Sequence, residues 1–140
     1  MYKFIEPEVA GGLGKGTVII SNVHPPIVKK LNYEFDGWLG DDILESFPCC
    51  IVSERLKDRL VLENLSGIKF EDVTITKSER FYELFPVKEL PKFYWAKIVG
   101  KKNVDDFYIG EDLRIVISER AYEIIGLFNV SNALFENVQG

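Results

Sequence analysis

A stretch of 23 residues is echoed 65 positions later without a gap, with 9 identities, and that echo limits the possible folds more than any other feature. Residues 51–73 read IVSERLKDRLVLENLSGIKFEDV, and residues 116–138 read VISERAYEIIGLFNVSNALFENV. Ser53, Glu54, Arg55, Leu62, Asn64, Ser66, Phe70, Glu71 and Val73 return as Ser118, Glu119, Arg120, Leu127, Asn129, Ser131, Phe135, Glu136 and Val138. Most mismatches keep their character, as in Leu60 against Ile125 and Asp58 against Glu123. Both copies read as an apolar strand, a capping serine, a helix of about ten residues and a returning strand. Such a unit needs a crossover connection, which is right-handed in nearly all cases. The expected fold is α+β or α/β: a mixed β-sheet carrying two duplicated strand–helix–strand units, about 51–73 and 116–138, with helices packed on the sheet. An α+β arrangement with antiparallel returns fits the same pattern.

Local chemistry fills in the parts. Ser53 and Ser118 stand where a hydroxyl accepts from an orphan N–H of the first turn, and Glu54 and Glu119 suit the positive end of the helix dipole. Ala121, Ile124, Ile125 and Phe128 form an apolar helical face. Asn64 and Asn129 are placed to end the two helices, since asparagine tolerates positive φ. Residues 70–77 alternate as one return strand, and 134–138 as the other. Residues 78–84 predict a short helix capped by Ser78, and 93–99 a strand. Near the N-terminus, 2–5, 17–20 and 31–35 read as strands, with the glycine-rich 11–16 as a flexible loop. The approach to each copy also echoes, Leu39-Gly40-Asp41-Asp42-Ile43 against Ile109-Gly110-Glu111-Asp112-Leu113. No linker or low-complexity tract divides the chain, so residues 1–140 are expected to form a single domain.

Composition narrows the class. With 46% hydrophobic residues the chain can build a core, burying about two-thirds of its unfolded surface at this length. A net charge of −5 argues against nucleic acid as a partner, because phosphate binding needs a basic face. No window supplies the roughly 18 apolar residues of a membrane span, and the first residues lack the apolar run of a signal peptide. A cytoplasmic location is expected. Adjacent Cys49 and Cys50 point to opposite faces of an extended segment and read as small buried strand residues rather than a disulfide.

The candidate chemistry mostly has a structural explanation. Ser-Glu-Arg joins a nucleophile, an acid and a cation, but both copies fall at strand-to-helix junctions, where capping accounts for the serine and glutamate. Ser53, Glu54, Arg55, Ser118, Glu119 and Arg120 are therefore read as a structural motif. The lone His24 precedes two prolines and has no recognisable partner spacing for a base or a metal ligand. GGLGKGT at 11–17 fails the phosphate-loop pattern, since Gly16 stands where Ser or Thr is required and Val9 where the first glycine is required. Neither a catalytic residue nor a metal or cofactor site is expected. The best surface candidate is acidic and aromatic: Asp36, Trp38, Asp41, Asp42 and Glu45, with Asp105, Asp106 and Tyr108 before the second copy. Aromatics give contact area at low entropy cost and carboxylates steer a basic partner.

FDGWLGDDILESFPCCIVSER (35–55), FEDV (70–73), ELPKFYW (89–95), DDF (105–107) and IVISERA (115–121) resemble small bacterial immunity proteins of polymorphic-toxin systems. The likeness covers most of the chain after about residue 20. It implies a non-enzymatic inhibitor that binds and neutralises a cognate protein toxin, with no catalytic residues to carry over. For a nuclease toxin, the carboxylates would stand in for phosphate. The alternative is a small-molecule or anion-binding α/β domain, with its ligand at the N-termini of the repeated helices near Ser53, Arg55, Ser118 and Arg120.

Overall fold

The computed structural model describes residues 1–139. Among the described residues, thirteen strands and three helices follow in the order β1 (Lys3–Glu6), β2 (Gly11–Leu13), β3 (Val18–Ile20), β4 (Ile27–Lys30), β5 (Asn32–Phe35), β6 (Ile43–Ser46), β7 (Cys49–Ser53), α1 (Glu54–Leu62), β8 (Ile68–Glu71), β9 (Thr74–Lys77), α2 (Glu79–Leu84), β10 (Phe93–Ile98), β11 (Phe107–Ile109), β12 (Ile115–Ile117), α3 (Glu119–Ile125) and β13 (Leu134–Asn137). The fold is mixed α+β, with its described strands in four sheets.

Two sheets have four strands, in the orders β6-β7-β10-β8 and β11-β12-β1-β13. In each, the strands before and after a helix are parallel to one another but separated by an antiparallel strand from elsewhere in the chain. This departs from the single shared sheet expected from the sequence. An apolar alternation marks a strand and its inner face but does not name its neighbour. The other sheets are β2-β5-β9, in which β5 and β9 run parallel, and the ribbon β3-β4.

Strand β7 is buried on both faces, which explains its unbroken apolar run. Cys50 and Val52 face a core shared with Ile5, Ile43, Phe107, Ile115 and Ile117, closed by Leu56 and Leu60 of α1 and Ala121, Ile124 and Ile125 of α3. Cys49 and Ile51 face a second core with Tyr33, Phe35, Leu44, Phe81, Phe93 and Trp95. Burying each such large apolar side chain contributes about 1.5–3 kcal/mol. The two cysteines are free and divide between these cores, as their adjacency predicts.

Several local expectations change. Residues 70–77 make two strands in different sheets, β8 and β9, broken at Asp72-Val73. Part of the supposed glycine loop is β2, packed so closely that a Cβ on Gly11 would lie 1.9 Å from the Glu34 carbonyl oxygen. Asn64 has φ of +60° just beyond α1, as expected, but α3 ends at Ile125, four residues before Asn129. Asn129 has a different task.

Candidate functional site

The two Ser-Glu-Arg motifs lie where the sequence put them, at the starts of α1 and α3. Ser53 Oγ accepts from Leu56 N–H, and Ser118 Oγ accepts from Ala121 N–H. Each serine then donates to a carboxylate 2.6 Å away: Ser53 to Asp42 Oδ1 and Ser118 to Asp106 Oδ1. The backbone repeats this link, since Ser53 N–H donates to the Asp42 carbonyl and Ser118 N–H to that of Asp106, both at 2.8 Å. A negative charge thus sits at each helix start, where the dipole favours it.

These carboxylates also reach across the molecule. Asp42 Oδ2 accepts from Asn129 N–H at 2.8 Å, beyond α3. Asp106 Oδ2 accepts from Ser66 N–H at 2.9 Å, beyond α1. Neighbouring groups reinforce both crossings. Asn129 Nδ2 donates to the Gly40 carbonyl, and Asp41 accepts from Asn132 N–H and its side-chain amide. On the other side Asp106 N–H donates to Ser66 Oγ. Each aspartate therefore ties the helix start beside it to the loop leaving the other helix.

Arg55 donates to both oxygens of Asp42, at 2.7 and 2.6 Å, and its guanidinium lies 5.7 Å from the Phe128 ring. Arg120 bonds the Glu63 carbonyl at the end of α1 instead. Burial would raise the Asp42 carboxyl, but the bonds from Arg55, Ser53 and Asn129 outweigh it and hold it below its ordinary range. For Asp106 burial is likewise outweighed, by the bonds from Ser118 and Ser66 and by the Arg120 charge.

The acidic and aromatic candidates separate sharply. Asp41 and Asp42 are 0% and 2% exposed, and Tyr108 is 2% exposed, so all three lie inside the molecule. Trp38 is half-buried, donating its indole N–H to the Asp41 carbonyl. Asp105 and Asp106 are partly exposed; Asp105 accepts from Lys101 N–H, and its carbonyl accepts from the Tyr2 hydroxyl. Glu45 is half-buried, and Asp36 alone of the eight is exposed. Aspartate is usually a surface residue, which is why the sequence pointed outward. The cysteines are inert positions: burial pushes the Cys49 thiol up to about 12 and Cys50 further in the same direction. His24 is exposed.

The ribbon β3-β4 was not singled out by the sequence. Val18, Ile19, Ile20, Val23 and Ile27 are between 38% and 53% exposed on it, and Lys15, Lys29 and Lys30 lie alongside in exposed positions. The available signal was the run Val18-Ile19-Ile20, which lacks the polar alternation of a strand with one wet face. Among known proteins, no family model matches the chain and no curated protein matches it.

Proposed function

We propose that this chain is a non-enzymatic immunity protein that neutralises a cognate toxin domain in the cytosol, and that it meets the toxin through the β3-β4 ribbon. The resemblance of 35–55, 89–95 and 115–121 to immunity proteins of polymorphic-toxin systems motivates the class. The observation that carries the surface is the exposed apolar ribbon, because contiguous exposed aliphatic side chains mark binding faces. Both ribbon strands have a free edge, which suits the addition of an extended strand from a partner. The three lysines favour a toxin surface that is apolar and rimmed by carboxylates. Mimicry of phosphate by Asp36, Asp41 and Asp42 is a weaker reading, since two of the three are internal. The Ser-Glu-Arg motifs support a structural role, because their serines and Arg55 are already engaged by Asp42 and Asp106. A ligand anion at either helix start would have to displace those carboxylates, which weighs against the small-molecule alternative there.

Co-expression with its cognate toxin domain should rescue growth from that toxin, and the two should purify as a stoichiometric complex. Ile19→Asp with Ile20→Asp should weaken that complex by about a hundredfold or more, as loss of a buried hot spot does. Absence of rescue counts against the immunity reading. Rescue that is indifferent to the ribbon variant moves the interface elsewhere.

We also propose that β7-α1-β8 and β12-α3-β13 are copies of one unit that have exchanged a strand. Phe4 of β1 lies opposite Val116 and Glu136, and Trp95 of β10 lies opposite Ile51 and Glu71. Those partners are 65 positions apart, so each copy receives the strand that precedes the other at the same register. Deleting residues 1–6 should speed amide exchange at 115–117 and leave 49–53 protected; the reverse pattern contradicts the exchange.

A further inference from the structure

Three residues of the core between the two four-stranded sheets, Cys50, Ala96 and Ile115, also line a half-open cavity of about 330 Å³. Pro26, Phe47 and Trp95 complete walls built mostly from apolar side chains. This is within the usual size of small-ligand pockets, which combine apolar walls with a few polar groups. Two charged side chains reach the lining, Glu45 and Lys97. Lys97 is already neutralised: its Nζ lies 3.1 Å from Glu71 Oε2 and 4.7 Å from the Trp95 ring centre.

Glu45 has no such partner. On β6 it lies opposite Cys50, on the face turned to the shared core. The matching place on β11, opposite Ile115, is taken by Ile109, which also borders the cavity. An aliphatic side chain suits that place, whereas a carboxylate there gives up part of its hydration with no protein group bonded in its stead. Burial and the nearby Glu6 carboxylate both push its pKa up, and no bonded group pulls it down. Local rules broken in this way are expected at functional sites.

We propose that this cavity binds a small amphipathic amine, its aromatic or aliphatic body against Trp95, Phe47 and Pro26 and its ammonium on Glu45. Ile27 and Val28 of the ribbon also line the cavity, but Ile19 and Ile20 do not; the amine test reads Glu45 and the toxin test reads Ile19 and Ile20, so the two readings fail separately. The test is a titration of the full chain with 2-phenylethylamine, 2-phenylethanol and 3-phenylpropionate, followed by backbone amide shifts at Ala96, Lys97 and Ile109. The amine is expected to saturate and to bind tighter than the alcohol by about tenfold, the worth of one charge-assisted hydrogen bond, with the acid weakest. Glu45→Gln, which keeps the shape, should erase the preference for the amine while the alcohol still binds. Ile109→Trp, at the exposed rim, should block all three. The proposal is overturned if the amine gives no saturable shift at these residues, if amine and alcohol bind alike, or if the preference survives in Glu45→Gln.

Discussion

The starts of α1 and α3 carry the same three residues, yet the two junctions are not equally committed. At α1 the aspartate is buried and held by five donors, two of them from Arg55. At α3 it is partly exposed, and the arginine has turned away to the end of α1. A repeated motif therefore fixes a pattern of hydrogen bonds, while the strength of those bonds follows from how much water each site excludes.

The sharpest way to break the comparison is to remove the two carboxylates. Asp42→Ala leaves Ser53 and the Asn129 N–H without their acceptor in a dry site, and should cost about 3 kcal/mol in urea unfolding. Asp106→Ala, whose partners can turn to water, should cost about 1–2 kcal/mol. Equal losses would erase the distinction. Ser53→Ala and Ser118→Ala each remove a cap worth about 1 kcal/mol, with Ser53 at the higher end because it is buried. The arginines sharpen the contrast at the smallest scale. Arg55→Lys gives up a two-pronged contact and should cost more than Arg120→Lys, which is expected to change stability by less than about 0.5 kcal/mol.

Acidity separates two kinds of carboxyl. Asp42 and Asp106 are held below the ordinary value of 3.8 in the folded chain. Their stabilisation is present above that value and is lost as pH falls through the lower folded values. Glu8 and Glu45 are raised above 4.5, Glu8 by burial and the nearby Asp41, and Glu8 Oε2 is buried without a hydrogen bond. Both destabilise once pH exceeds their raised folded values, and that penalty disappears as pH falls towards 4.5. Urea midpoints should therefore rise slightly from pH 7 to about 4.5 and fall steeply below 3.8. Glu8→Gln should remove part of the rise and stabilise the chain at pH 7.

What the sequence revealed follows the reach of each interaction. The caps Ser53, Ser78 and Ser118 were legible because a capping serine bonds a backbone N–H three residues on. The opposed faces of Cys49 and Cys50 followed from the strand period alone. The insertion of β1 and β10 was not legible, since alternation says nothing of a partner elsewhere in the chain. Asp42 and Asp106 were obscured by a shifted comparison. Leu39–Ile43 matches Ile109–Leu113 by sequence, a pairing that puts five more residues between the echo and the strand in the first copy. In the structure the counterpart of Asp41-Asp42-Ile43 is Asp105-Asp106-Phe107, 11 and 12 residues before the two capping serines. The ribbon was recognised only as one strand, because its exposure depends on everything that fails to cover it.

The crossed attachment of each helix start to the opposite loop is the central structural claim, and residue-resolved amide exchange tests it most directly. Asp42→Ala should speed exchange at Asn129 by about tenfold or more relative to Ser66, through local opening, and Asp106→Ala should do the reverse. If Asp42→Ala instead loosens Ser66, beyond its own helix, or leaves Asn129 protected, the crossed attachment is wrong.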